Sequence, residues 1–117
     1  MGDKAGSIRA NVVDIVGRRI FAAEIGWTAG VITRLAELTG ENPAWPYLIP
    51  GFIDAHVHIE SSLLPPAEFA RLAVRHGTVA AVSDPHEIAN VVGVAGVRGM
   101  LANAAQTPFH ILFGAPS

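Results

Sequence analysis

The sequence predicts an α/β chain in two parts. A small antiparallel β unit and its linker occupy residues 1–47, and a β-α-β-α-β run occupies residues 48–117. Three observations carry this reading. Short runs rich in β-branched residues crowd the first third of the chain. From Leu48 on, strand-like and helix-like patterns alternate, which implies parallel strands joined by helical crossovers. Two histidines, His56 and His58, stand one residue apart in the first of those strands.

Residues 1–10 (MGDKAGSIRA) read as a loose leader. The runs 11–16 (NVVDIV), 20–25 (IFAAEI) and 31–35 (VITRL) read as three strands. Gly17-Arg18 separates the first two and Ala29-Gly30 precedes the third, the punctuation of hairpins. Residues 36–47 (AELTGENPAWPY) are rich in turn formers and read as a linker.

Pro50-Gly51 opens the second part, with a strand over 52–59. Pro65-Pro66 stands where proline is tolerated, in the first turn of a helix. Phe69, Leu72, Ala73 and His76 follow at helical spacing, and Gly77 terminates them. Residues 78–83 form a second strand. Residues 88–105 have helical character, weakened by Gly93, Gly96 and Gly99. Residues 109–113 make a third strand.

Composition narrows the classes. Half the residues are hydrophobic and 15% are charged, where an average soluble domain has about 25% charged residues. A chain of this size with so few charges either buries its surface in partners or is part of something larger. A net charge of −2 with no basic run gives no reason to expect nucleic acid or an anionic membrane as partner. No apolar run reaches the roughly 18 residues needed to span a bilayer. The absence of cysteine excludes disulfides and thiolate metal sites. The expectation is a cytoplasmic chain.

The chemistry concentrates in residues 50–60 (PGFIDAHVHIE). Side chains alternate along a strand, so Asp54, His56, His58 and Glu60 are expected on one face. Two imidazoles at that spacing can converge on one metal ion, with Asp54 orienting them from behind. The plain alternative is two polar histidines on a half-exposed strand. The apolar opposite face and the βα pattern that follows favour the metal.

The stretch from Pro50 to His58 resembles the first-strand signature of the amidohydrolase superfamily. That resemblance implies the first βα units of a (β/α)8, or TIM, barrel, incomplete in this chain. It also implies a small β-sandwich to which residues 11–35 contribute strands. Ala29-Gly30 stands where that family more often has Asp-Gly, at a local cost to the turn. Two further stretches, 58–62 (HIESS) and 83–91 (SDPHEIANV), together with the ending 113–117 (FGAPS), resemble the adenine deaminase family of bacteria and archaea. The resemblance implies hydrolytic deamination of adenine, a purine substrate, to hypoxanthine and ammonia. It implies one or two divalent ions (Mn, Fe or Zn), with His56 and His58 as ligands and the remaining ligands beyond residue 117. Asp84, His86 and Glu87 are the catalytic candidates. Asp84 and Glu87 also fit a helix capping box around Pro85. Glu60, Ser61 and Ser62 are candidates for substrate contact, or Ser61 and Ser62 cap the next turn. Alone, the chain is expected to be inactive and to associate with itself or with the rest of its own barrel. Two readings compete: part of another cyclic-amide hydrolase, and a non-catalytic self-associating β/α protein.

Overall fold

A computed structural model describes residues 4–115 of the chain. It is a mixed α/β structure of two compact units, one running through Pro50 and the other from Gly51.

The first unit is one sheet. Strands β1 (Gly6–Asp14), β2 (Arg19–Thr28), β3 (Val31–Gly40) and β4 (Tyr47–Leu48) lie in the order β3-β2-β1-β4. The first three are antiparallel, and β4 runs parallel to β1. The chain from Gly6 to Ala10, read above as a leader, is therefore strand. Ile8 pairs with Ile25, and Ala10 with Ala23. The alternation of Ser7 and Arg9 with Ile8 and Ala10 is a strand pattern that surrounding polar residues conceal. Residues 1–3 of that stretch lie outside the described residues.

At its other end β1 stops two residues early. Asp14 accepts a hydrogen bond from the Gly17 N–H at 2.8 Å, and this turn closes the hairpin before the β-branched run is spent. Val16 is left 96% exposed. In β3 the correction goes the other way. Residues 36–40 extend the strand instead of starting a linker, because β2 is long enough to pair them, Ala36 with Glu24 and Gly40 with Phe21. Residues 41–46 are held by Asn11, which is fully buried. Its side-chain amide donates to the carbonyls of Asn42 (2.8 Å) and Trp45 (3.0 Å), and its Oδ1 accepts from the Asn42 N–H at 2.8 Å. The core of the sheet is Ala10, Phe21, Ala23 and Ile25, with Val12 and Leu48 packed against it.

The second unit is a parallel sheet in the order β5-β6-β7. β5 spans Phe52–Val57, β6 Thr78–Ser83 and β7 His110–Phe113. Helix α1 (Pro66–Ala73) connects the first pair, with Pro66 in its first turn. A 3-10 turn over Val74–His76 follows it and ends on Gly77 at φ +88°. Two expectations need correction. β5 ends at Val57, and the chain then tightens into a 3-10 turn over Ile59–Ser62 that buries Ile59 completely. His58 and Glu60 thus lie beyond the strand. The helix expected over 88–105 is two helices, α2 (His86–Val92) and α3 (Val94–Ala104). Gly93 separates them at φ +70°, ψ −155°, a conformation essentially restricted to glycine. Among the described residues, no helix is long and apolar enough to cross a membrane.

Candidate metal centre

β5 and β6 are parallel, so the segments that follow them emerge at the same edge of the sheet, where open α/β sheets bind ligands. His56 is the penultimate residue of β5, and His58 directly follows the strand. Their Nε2 atoms are 3.3 Å apart. Two nitrogens, each about 2.0–2.1 Å from one ion at a tetrahedral angle, lie about 3.3–3.4 Å apart. The pair therefore fits a shared divalent ion although His58 has left the strand.

The tautomer of His58 follows from its other nitrogen. Nδ1 is 2.9 Å from the backbone carbonyl of Asp84. A carbonyl only accepts, so Nδ1 carries the hydrogen and Nε2 keeps its lone pair for a metal. Asp54 does not orient either ring through its carboxylate. Its Oδ1 accepts the His56 backbone N–H at 3.1 Å, a local turn-like bond. The orienting group is a main-chain carbonyl 26 residues away, and no side-chain pattern announces it.

Asp84 follows β6. The capping-box reading of this segment does not hold: α2 has Pro85 at its N-cap position and no side-chain cap from that residue. Asp84 instead turns toward the histidines, with Oδ2 3.0 Å from Nδ1 of His86. That hydrogen bond holds the Asp84 carboxyl below the usual carboxylate range against the opposing effect of burial. His58 and His86 meet edge to face, their ring centroids 4.6 Å apart. Two overlapping ligand sets result. His56, His58 and Asp84 form one; His58, His86 and Glu87 form the other. In each set the ligand atoms lie within 4.8 Å of one another.

The remaining candidates join this cluster by hydrogen bonds. Glu60 Oε1 accepts from the backbone N–H groups of Glu87 (3.2 Å) and Ile88 (3.3 Å). The Ser61 hydroxyl donates to Glu87 Oε1 at 2.7 Å. The Ser62 hydroxyl serves its own turn, donating to the Ile59 carbonyl at 2.6 Å and accepting from the Leu64 N–H at 3.3 Å. His76 ends a 3-10 turn and His110 opens β7; neither belongs to either ligand set.

Residues 47–117 match the model of the amidohydrolase family. Over 108 residues the chain is 56% identical to the adenine deaminase of Sulfurovum sp. (strain NBC37-1), covering 92% of this chain and 20% of that protein. It is 57% identical over 113 residues to the adenine deaminase of Salinibacter ruber (95% and 20% covered). It is 49% identical over 110 residues to that of Methanothermobacter thermautotrophicus (94% and 20%). The chain thus spans about one fifth of the length of the curated relatives it matches. A family match over residues 47–117, more than half of the chain, means that the chain belongs to the amidohydrolase family.

Proposed function

We propose that the chain is the metal-strand portion of an adenine deaminase, a hydrolase that converts adenine and water to hypoxanthine and ammonia. In this reading residues 1–47 belong to a small β-sandwich and residues 48–117 begin a TIM barrel. The observation that carries the metal assignment is the 3.3 Å approach of the His56 and His58 Nε2 atoms, with the His58 tautomer fixed by the Asp84 carbonyl. The substrate assignment rests on similarity to proteins called adenine deaminase.

A divalent ion (Mn, Fe or Zn) held at His56 and His58 would supply Lewis acidity toward water and the purine ring. The chain's own groups do the rest of what falls to this segment. Asp84, kept ionised by His86, is a proton acceptor beside the two histidines. His86 is placed to take or return a proton through the Asp84 hydrogen bond. Glu87 is held by Ser61 and belongs to the second ligand set. Beside His56 and His58, Asp84 is a third candidate ligand within this segment, and three protein ligands are normal for a catalytic zinc. In this reading the rest of the barrel supplies the further groups of the site, and the free chain is inactive.

The test is ammonia release from adenine, with metal supplied, by a protein carrying this segment at the full length of its relatives. His56→Ala is expected to lower the rate at least about 100-fold, since a lost ligand cannot be replaced without loosening the metal. Hydrolysis of dihydroorotate with no action on adenine would instead make it a cyclic-amide hydrolase.

The third reading, association without catalysis, has an observation in its favour. Phe52, Ile53 and Leu112 on the barrel-type sheet are each more than half exposed. Parallel sheets are normally covered on both faces. We read this surface as the contact for the rest of the barrel, and for a second copy when the chain is free. Light scattering over a dilution series should show mass falling with concentration; a monomer at every concentration would refute this.

A further inference from the structure

We propose that Glu60 is a positioning residue that braces the first turn of α2, so that the Asp84 carbonyl meets the His58 ring. The inference rests on His56 and His58 being metal ligands. The first N–H groups of any helix lack partners within it. Here the N-cap is a proline, which offers neither a side-chain acceptor nor an N–H. The missing acceptor comes from a residue 27 positions earlier, Glu60, whose Oε1 takes the N–H groups of both Glu87 and Ile88. Glu60 is itself anchored, because it follows the fully buried Ile59.

Two further ties fasten the same strip. The Asp84 N–H donates to the Val57 carbonyl at 3.0 Å, and Ser61 donates to Glu87. Residues 84–88 are thereby fixed over residues 57–61. The strip passes this order to the histidine pair through the bond from His58 Nδ1 to the Asp84 carbonyl. A substrate contact would need a free carboxylate oxygen. Glu60 has Oε1 committed to two amides, while its Oε2 is buried and has no hydrogen-bond partner among the described residues, so the KM for adenine is what separates bracing from contact. Without the brace the start of α2 loosens, the Asp84 carbonyl shifts, and His58 loses the partner that fixes its tautomer.

The experiment is a cobalt(II) titration, followed by visible absorption, of the protein carrying this segment at the full length of its relatives. Glu60→Ala should weaken cobalt binding about 10- to 100-fold, the range for losing a group that supports a metal ligand. Once metal is saturating, its KM for adenine should match the unmodified protein. Glu60→Gln keeps an acceptor oxygen for the two amides and should stay within about threefold. If Glu60→Ala does not fold, Glu60→Asp replaces it; one methylene shorter, it cannot reach both amides and should weaken binding in the same direction. Unchanged cobalt affinity in Glu60→Ala or Glu60→Asp overturns the proposal. So does a raised KM for adenine with metal affinity intact, which would make Glu60 a substrate contact. Glu60→Gln losing as much as Glu60→Ala also overturns it, because the negative charge would then be what matters. Failure of the underlying reading looks different: His56→Ala would bind cobalt as tightly as the unmodified protein.

Discussion

In the first sheet, β1, β2 and β3 pair along the chain by hairpins, and the core residues Ala10, Phe21, Ala23 and Ile25 come from two adjoining strands. In the second, no strand pairs with a neighbour until a helix has intervened, and full burial falls on isolated residues such as Ile59, Pro66, Ala81 and Ser83. What orders the edge that carries the histidines is a set of hydrogen bonds between residues 57–61 and 84–88. The contrast separates two ways to damage this chain. Apolar truncation should be most costly in the first sheet. Polar substitution in the second should change the site before it changes stability.

The largest expected effect tests the first half of that contrast. Phe21 is 5% exposed and central to the apolar cluster. Phe21→Ala should cost about 3–5 kcal/mol by loss of buried surface and the cavity left behind, read by urea unfolding. A cost below about 1 kcal/mol would mean that the cluster is not what holds the sheet.

A smaller effect, of opposite sign at two sites, tests close packing in the second unit. A Cβ at Gly96 would lie 2.8 Å from Ile88 Cγ1, 3.0 Å from Val92 Cβ and 3.1 Å from the Ile88 carbonyl. In an open helix Gly→Ala gains about 1 kcal/mol, but here the added methyl drives α3 away from α2. Gly96→Ala should destabilise by about 1–3 kcal/mol. Gly99, one turn on, has nothing within 4 Å of that position, and Gly99→Ala should stabilise by about 0.5–1 kcal/mol. Equal effects at the two glycines in thermal unfolding would refute the contact.

The same division explains what could be read in the sequence. Runs of β-branched residues mark β2, the start of β3, and β6, because strand preference and burial agree there. The stretch Gly6–Ala10 escaped because its polar residues look like a leader, although all of it pairs with β2 and Ala10 is buried. Residues 36–40 escaped because Glu37 and Gly40 are poor strand formers whose pairing is imposed by the length of β2. The His-x-His pair was legible as chemistry, but the reason first given, one shared strand face, is not how it is built; His58 reaches the site after β5 has ended. The supports of the site were least legible. The Asp84 carbonyl is main chain, and the acceptor for the first turn of α2 stands 27 residues before it. Local capping rules therefore pointed to Asp84 and Glu87 instead.

The smallest predicted effect concerns the turns. In the second unit glycine occupies left-handed positions at Gly77 and Gly93, although Leu63 is left-handed as well. In the first unit the hairpin between β2 and β3 has a two-residue loop, Ala29-Gly30, between Thr28 and its partner Val31. Both loop residues have positive φ, +52° and +79°, as the favoured two-residue turn requires. Gly30 adopts this at no steric cost, whereas Ala29 brings its Cβ close to the following carbonyl at a cost of about 1–2 kcal/mol. Glycine at that position removes the strain but adds about 0.5–1 kcal/mol of backbone freedom to the unfolded chain. The difference favours the variant, so Ala29→Gly should stabilise the sheet by about 0.5–1 kcal/mol. It should raise the urea midpoint without changing the slope of the transition. A lowered midpoint would mean that Ala29 carries no strain, and that the cost of this hairpin lies elsewhere in the turn.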